Sequence, residues 1–242
     1  MKQLLKNVPI ILNSIINPKR NSKVIYYHDI HDRIKYTQMS TSLTIFEKHI
    51  QVIKNIGYSI ETNITSNENQ LKLCFDDGFR GLWDCRAFFY EHNLRPTIFV
   101  SNSLIGKPNY LNLDEILELQ KNGFIFEGHS WSHSNLTKYS TDELKHELYD
   151  SRIKLSDILG KEVTELCFPQ GYYNDLVVTE ALKGGYNTLY TSDPKPFNPR
   201  NNQLIGRYLL QFSKRNEVKG ILLGGQDWMY NHYKNIHFQN KL

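Results

Sequence analysis

The stretch Leu71–Gly78 reads LKLCFDDG, a short apolar run that ends in two adjacent carboxylates and a glycine. The run has the length and the side chains of a buried β-strand. Two carboxylates that directly follow such a strand are costly unless they meet a cation or hydrogen-bond donors. Asp-Asp-Gly is also a common turn, so a functional role for Asp76 and Asp77 depends on the rest of the chain.

Similar β-rich runs alternate with helical stretches along residues 23–225. This alternation indicates βαβ units and a mainly parallel sheet. We predict an α/β fold, a closed or nearly closed barrel of about seven parallel strands, with a doubly wound open sheet as the alternative. Active-site groups of either architecture emerge at the C-terminal ends of strands. The predicted strands are Lys23–His28, Leu71–Phe75, Thr97–Val100, Phe124–Glu127, Val163–Phe168, Thr188–Thr191 and Leu204–Leu210.

Composition narrows the class of protein. A chain of 242 residues with 40% hydrophobic and 22% charged residues can form one domain with a full core. The net charge of +4 is mild and its basic residues are scattered, which argues against a nucleic-acid partner. The three cysteines Cys74, Cys85 and Cys167 lack C-x-x-C spacing, so neither a disulfide framework nor a zinc knuckle is indicated. Free thiols inside apolar strands favour a reducing compartment, and we expect a cytoplasmic protein.

The two ends of the chain differ from the middle. Residues 1–22 form a predicted N-terminal amphipathic segment, whose helix over residues 1–18 either packs on the domain or touches a membrane surface. The segment begins like an export signal, but Asn13 and Ser14 interrupt its apolar run and no cleavage site of small residues follows before Lys19, so export is the alternative to a cytoplasmic location. Residues 226–242 form a predicted polar tail, in which His232 and His237 are expected to be solvated.

Two further segments carry candidate chemistry. His129 and His133 follow the strand that ends at Gly128, and if that turn is helical their imidazoles project to one side and can chelate one ion. With the Asp pair they supply two imidazoles and a carboxylate, the ligand type of many hydrolytic metal sites. The turn Pro169–Gly171 can present a backbone N–H to a developing oxyanion, although most such turns have no catalytic role.

These three segments together resemble a known motif set. Phe75–Gly78, His129–His133 and Phe168–Gly171 are similar, in this order, to the T/S-F-D-D-G, H-S/T-x-x-H and R-x-P-Y/F-G motifs of the polysaccharide deacetylase family, the NodB-homology enzymes. The resemblance covers about residues 23–225 and implies a deformed (β/α) barrel. It also implies removal of N-acetyl groups from an amino sugar in a polysaccharide, oligosaccharide or glycolipid. The implied cofactor is one divalent ion, first of all Zn²⁺, with Co²⁺, Ni²⁺ or Mn²⁺ as alternatives.

The resemblance assigns roles residue by residue. Asp77, His129 and His133 are expected to bind the metal, and Asp76 to act as the general base. The backbone N–H of Gln170 is expected to help stabilise the oxyanion.

The chain departs from the family pattern at three points, the first of which is Cys74 in the Thr or Ser place of the first motif. Glu165, Leu166 and Cys167 replace the arginine that precedes the Pro-x-Gly turn, and we nominate Arg207 as its substitute. The late Leu-x-His motif is missing as well. His28 instead resembles the opening Tyr-His motif of the circularly permuted poly-N-acetylglucosamine deacetylases, which makes it the candidate general acid. The alternative is a core histidine bonded to the backbone.

Aromatic and proline side chains near the motifs supply candidate contacts to a substrate. Trp131, Pro169 and Tyr172 are candidate contacts for a sugar ring. We expect a carbohydrate or glycolipid substrate and no obligate protein partner. Alternative functions are a deformylase of a lipid-linked amino sugar, an amidase for a non-sugar amide, or an inactive carbohydrate-binding member. Loss of Asp76 or of either motif histidine would mark the inactive class, and all three are present.

Overall fold

The computed structural model describes residues 2–200 and 203–240, with side chains from residue 8 onward. The strands are β1 (Lys23–Tyr27), β2 (Asp29–His31), β3 (Ser40–Ser42), β4 (Ser59–Glu61), β5 (Gln70–Phe75), β6 (Thr97–Val100), β7 (Ile125–Gly128), β8 (Glu165–Cys167), β9 (Thr188–Tyr190), β10 (Leu204–Ile205) and β11 (Arg207–Leu209). The helices are α1 (Lys2–Ile16), α2 (Leu43–Asn55), α3 (Gly81–Asp84), α4 (Arg86–Glu91), α5 (Leu113–Lys121), α6 (Thr141–Leu144), α7 (Ser151–Leu159), α8 (Asp175–Lys183), α9 (Arg215–Leu222) and α10 (Tyr230–His237).

The large sheet closes into a barrel. Its strands lie in the order β10-β9-β8-β7-β6-β5-β1-β11, and every pairing is parallel. β10 and β11 are two halves of one stretch that bends at Gly206, so that the first half pairs with β9 and the second with β1. The ring therefore has seven staves, which confirms the predicted α/β barrel. β4, which the sequence did not predict, pairs with the first half of β5.

The two faces of this sheet form separate apolar clusters. The larger cluster lies between the strands and the surrounding helices and includes Ile25, Leu73 and Phe75. The smaller one includes Val24 and Cys74, which alternate with those residues along the same strands. Because neighbouring side chains of a strand point to opposite faces, the smaller cluster fills the barrel interior.

The barrel interior also holds charged side chains. Lys72 Nζ lies 2.8 and 2.6 Å from the two carboxylate oxygens of Glu165 and donates to the Tyr190 hydroxyl at 3.0 Å. The Lys72 side chain is 5% exposed and that of Glu165 17%. Burying either charge alone would be costly, so Lys72 and Glu165 can occupy the barrel interior only as a pair.

The segments outside the barrel staves differ partly from expectation. Helices α6 and α7 are joined by a π-helix at Lys145–Asp150, and Ser140 and Glu143 form a capping box at the start of α6. Helix α1 packs against α9. The predicted polar tail contains α10, and a bridge joins Tyr173 to Phe238. The parts of those terminal predictions that concern residues 1, 241 and 242 lie outside the described residues.

We predict that Lys72→Met lowers the free energy of unfolding by about 3–5 kcal/mol, because it leaves the Glu165 carboxylate buried without its partner. Adding Glu165→Leu should restore part of the loss, since an apolar pair replaces both ions. The matched control is Lys145→Met, which removes an exposed ion pair with Asp142 and should leave stability unchanged. Urea unfolding of the four proteins measures this. Equal stabilities of Lys72→Met and Lys145→Met would contradict the interpretation.

Candidate active site

A cavity of about 330 Å³ opens at the C-terminal ends of the barrel strands. Parallel strands bring the residues that follow them to the same end of the barrel, which is where this fold class places its chemistry. The predicted site residues that line the cavity are His28, Asp76, Asp77, His129, His133, Gln170 and Arg207. The structure thus brings together seven residues from five separate segments of the sequence.

Asp76 is held by a buried arginine. Arg207 Nη1 and Nη2 donate to Asp76 Oδ1 and Oδ2 at 2.6 and 2.8 Å, and both side chains are at most 5% exposed. Burial favours the neutral carboxyl, but the charge and hydrogen bonds of Arg207 outweigh it and hold the pKa of Asp76 below its ordinary value. Asp76 is therefore an oriented carboxylate at neutral pH. Arg207 thus makes the contact to Asp76 that a substitute for the motif arginine requires.

The small side chain of Cys167 makes room for this arrangement. Cys167 stands on β8, within the segment where the family pattern has an arginine, and its Sγ is 3.8 Å from Asp76 Oδ2. Arg207 approaches the same carboxylate from β11 and stacks on the Tyr26 ring, with 4.1 Å between its Cζ and the ring centroid. Its Nε donates to Thr191 O at 3.2 Å. The guanidinium is therefore fixed on several sides.

Asp77, His129 and His133 form a second cluster beside that pair. Nε2 of His129 and Nε2 of His133 lie 3.3 and 2.9 Å from Asp77 Oδ1. Burial raises the pKa of Asp77, but the two imidazoles that face its carboxylate outweigh burial, and the pKa lies well below its ordinary value. One carboxylate oxygen and two ring nitrogens thus converge on one small region.

The chemistry of these donors fits a divalent cation. His129 Nδ1 lies 2.7 Å from the carbonyl oxygen of Cys167, which can only accept, so Nδ1 carries the proton in the neutral ring. Nε2 then presents a lone pair toward a carboxylate oxygen. Asp77 Oδ1 is buried and, among the described residues, receives no hydrogen bond of acceptable geometry. Two imidazoles and a carboxylate with lone pairs facing one another are the ligand set of a hydrolytic zinc site.

Asp76, His129 and Cys167 form another group of potential ligands in the described part of the chain. This group fits a metal less well. Both oxygens of Asp76 accept from Arg207, and His129 Nδ1 donates to a carbonyl. Burial raises the pKa of the Cys167 thiol well above its ordinary value, whereas a metal ligand has to be a thiolate.

The backbone at these residues is unusual. Asp77, Ser130, His133 and Gln170 have φ values of 70, 65, 62 and 58°, in the left-handed region. The other non-glycine residues with positive φ in the described ranges are all asparagines, which tolerate this region best. The segment His129–His133 is therefore not a helical turn, and the condition stated for convergence of the two imidazoles is not met. The imidazoles converge because the loop reverses at Ser130 and His133, and such conformations concentrate at functional sites.

His28 reaches the cavity from the end of β1. Its Nδ1 lies 2.7 Å from Gln211 Oε1, an acceptor, so Nδ1 carries a proton and the ring orientation is fixed. The side chain is half-buried and lines the cavity. It is therefore placed where a proton donor to a bound molecule would be.

His237 is a cavity residue that the sequence analysis missed. The prediction that it lies in a solvated tail is wrong, because its side chain is 13% exposed and its Nδ1 is 2.6 Å from Asp193 Oδ1. Asp193 also accepts from the Tyr173 hydroxyl at 2.9 Å. A signal was present, since Asp193 closely follows the end of β9 much as Asp76 follows β5. His232, in contrast, is exposed.

The three residues predicted to contact a sugar do not line this cavity. Trp131 lines a separate open pocket and packs its ring on His146, with 4.5 Å between ring centroids. Pro169 is buried, and Tyr172 makes an edge contact with the His237 ring. Aromatic side chains that do line the cavity are Tyr26, Phe168 and Tyr233.

Comparison with known proteins follows this geometry. A family model described as polysaccharide deacetylase matches residues 63–189, more than half of the chain. A peptidoglycan-N-acetylglucosamine deacetylase of Bacillus cereus is 23% identical over 176 residues, which are 71% of this chain and 80% of that protein. The peptidoglycan-N-acetylmuramic acid deacetylase PdaA of Bacillus subtilis is 25% identical over 130 residues, covering 52% of this chain and 48% of that protein.

The chain spans about half the length of several curated relatives, with 57, 47 and 48% of their sequences covered. Among solved structures, a polysaccharide deacetylase from Bacillus cereus matches with a TM-score of 0.74 at 22% identity, covering 84% of this chain and 69% of that chain. IcaB from Ammonifex degensii matches with a TM-score of 0.75 at 13% identity, covering 85 and 98%. These structures show the fold, and the permuted motif order stays a prediction.

We predict that Asp77→Ala and His133→Ala each weaken binding of a divalent ion at least about 100-fold, because each removes a convergent ligand. Asp76→Asn is the matched control, since it changes the adjacent carboxylate without removing one of those ligands and should keep the ion. Zn²⁺ titration against a competing chelator measures the affinities. Unchanged affinity in both alanine variants, or equal loss in Asp76→Asn, would contradict the assignment.

Proposed function

Because the chain belongs to the polysaccharide deacetylase family, we propose that it is a metal-dependent hydrolase that removes N-acetyl groups from an amino sugar. The observation that carries the proposal is that two adjacent carboxylates have different partners. Asp76 is bound by Arg207, whereas Asp77 faces two imidazole nitrogens. Amide hydrolysis needs both a base for water and a cation near the carbonyl, and this arrangement supplies a place for each.

The proposed ligands are Asp77, His129 and His133. A divalent ion held by them supplies Lewis-acid chemistry and activates water for attack at neutral pH. We favour Zn²⁺, since this ligand set suits it, and Co²⁺, Ni²⁺ or Mn²⁺ can take the same nitrogen and oxygen donors.

Asp76 is the proposed general base. Its lowered pKa keeps it deprotonated at neutral pH, and Arg207 fixes its plane without removing its capacity to accept a further hydrogen bond. Arg207 is therefore a positioning residue. The backbone N–H of Gln170, in the turn next to the cavity, would donate to the oxyanion that forms from the acetyl carbonyl.

The departing sugar amine needs a proton, because an amide anion is a very poor leaving group. His28 is the proposed donor, with Nδ1 directed to Gln211 and the rest of the ring at the cavity. His237 is the second imidazole in the cavity that could move a proton, and its Asp193 partner would stabilise the charged ring. The amide and ester turnover of His28→Ala and His237→Ala distinguishes which of the two histidines donates the proton.

The proposal is tested by acetate release from purified, zinc-loaded protein. We expect acetate from N-acetylhexosamine oligosaccharides, and less formate from the matched N-formyl compounds. The control is Asp76→Asn loaded with the same metal, in which turnover should fall by orders of magnitude while the ion stays. If no N-acetyl amino sugar yields acetate and a formyl or non-sugar amide is hydrolysed, the substrate class is wrong.

We predict that His28→Ala keeps the fold and the metal while kcat for an N-acetyl sugar falls about 10²–10⁴-fold, the usual contribution of a positioned proton donor. An aryl acetate ester should be slowed much less, because a phenolate leaves without a proton. The ratio of amide to ester turnover is the measurement.

His237→Ala is the matched control, since it removes an imidazole from the same cavity. It should change the amide and ester rates by similar factors. If His237→Ala selectively loses amide hydrolysis and His28→Ala slows both substrates equally, the proton donor is His237.

A further inference from the structure

Helix α1 exposes the side that a surface helix normally buries. Val8, Leu12, Ile15 and Ile16 are 54, 52, 70 and 81% exposed, whereas Ile10 and Ser14 are 3 and 4% exposed. A helix on a water-soluble domain turns its aliphatic stripe toward the core. In α1, by contrast, four aliphatic residues are exposed and only Ile10 is fully buried among those whose side chains are described. We call the four exposed residues the α1 stripe.

The α1 stripe is continuous. Positions 8, 12, 15 and 16 fall within an arc of about 100° at 3.6 residues per turn, opposite positions 10 and 14. Scattered exposed apolar side chains are normal, but a contiguous stripe marks a surface that interacts with something else.

The outward direction of the stripe is fixed by close packing behind it. Any Cβ at Gly225 would lie 2.1 Å from the carbonyl oxygen of Ile10, so the helix backbone seats directly on this glycine. The amide of Asn13 reaches Gly224 O at 3.5 Å, and the N–H of Lys19 donates to Leu223 O at 2.9 Å. The helix therefore could not rotate its stripe inward without losing this seat.

Basic side chains follow the C-terminal end of α1. The α1 sequence contains no acidic residue. Near its C-terminal end an open cavity of about 910 Å³ is lined by Lys19, Arg20 and Lys219, all of them exposed, and by the acidic Glu68. Exposed aliphatic side chains next to a basic cluster match the boundary between headgroups and acyl chains of an anionic bilayer.

We propose that the α1 stripe and the adjoining basic cluster dock the protein on an anionic lipid surface. The 15 residues of α1 extend about 22 Å, so the helix would lie in the interface. Among the described residues, no helix is both long and apolar enough to span a membrane. A second copy of the chain is the other possible occupant of an exposed apolar stripe, and the test below distinguishes it from a lipid surface.

The test is flotation of the full chain with vesicles of phosphatidylcholine alone or mixed with phosphatidylglycerol. Binding is expected to the mixed vesicles and should weaken with added salt. Ile15→Ser/Ile16→Ser should lower the partition coefficient about tenfold or more, since two side chains lose their apolar contact. The matched control is Ile153→Ser/Leu176→Ser, on α7 and α8, where the parent side chains are 55 and 41% exposed. It should bind like the parent protein, and both variants should keep the parent melting temperature.

Three outcomes would overturn the proposal. The first is a parent protein that does not float with mixed vesicles. The second is equal loss in the stripe variant and the control, and the third is a dimer in sedimentation that only the stripe variant abolishes, which would assign the stripe to a second copy. All three readouts are independent of deacetylase activity.

Discussion

The buried ion pair of Asp76 and Arg207 is the interaction on which the site depends. Two adjacent carboxylates cannot both stay charged and unpaired in a buried position. Arg207 neutralises one of them, and Asp77 is left facing His129 and His133. Arg207 is the first residue of β11, the half-strand that closes the barrel against β1. The strand pairing that closes the barrel therefore also places Arg207 on Asp76 and gives the two carboxylates different partners. The bend at Gly206, where a Cβ would lie 2.4 Å from Asp193 O, permits both.

Much of this could be predicted from sequence because the signals are local. Alternation of strands and helices gave the seven staves, and polar residues directly after apolar runs marked Asp76, Asp77 and His129. The family match ends at residue 189 and begins at residue 63, so it includes neither His28 nor Arg207. His28 was nominated because it resembles the opening Tyr-His motif of the permuted enzymes, and Arg207 as the substitute for the missing motif arginine. Both can reach the site because the strand ends of a closed barrel share one rim whatever their order in the chain.

The features that escaped prediction depend on contacts between distant segments. Spacing alone suggested a helical turn at His129–His133, but Glu147 accepts hydrogen bonds from the N–H groups of Trp131 and Ser132 and holds a loop with positive φ. His237 enters the cavity because Tyr173 exchanges backbone hydrogen bonds with His237 and Gln239. The polar segment around His237 carries no local sign of this contact, and the signal in the sequence lay at Asp193, the distant residue that His237 contacts. The orientation of α1 also depends on a distant segment. Its amphipathic pattern predicts a helix, but the close contact between Ile10 and Gly225 decides which side of the helix faces outward.

Anomalous diffraction at the zinc edge, from crystals grown with Zn²⁺, tests the central claim most directly. The account predicts a single strong peak within bonding distance of Asp77, His129 and His133, with Asp76 still paired to Arg207. A peak bound instead by Asp76, His129 and Cys167, the other group of potential ligands, would contradict it. A site that takes up no zinc ion would contradict it as well, because Asp77 would then not be a metal ligand and would have no role different from that of Asp76.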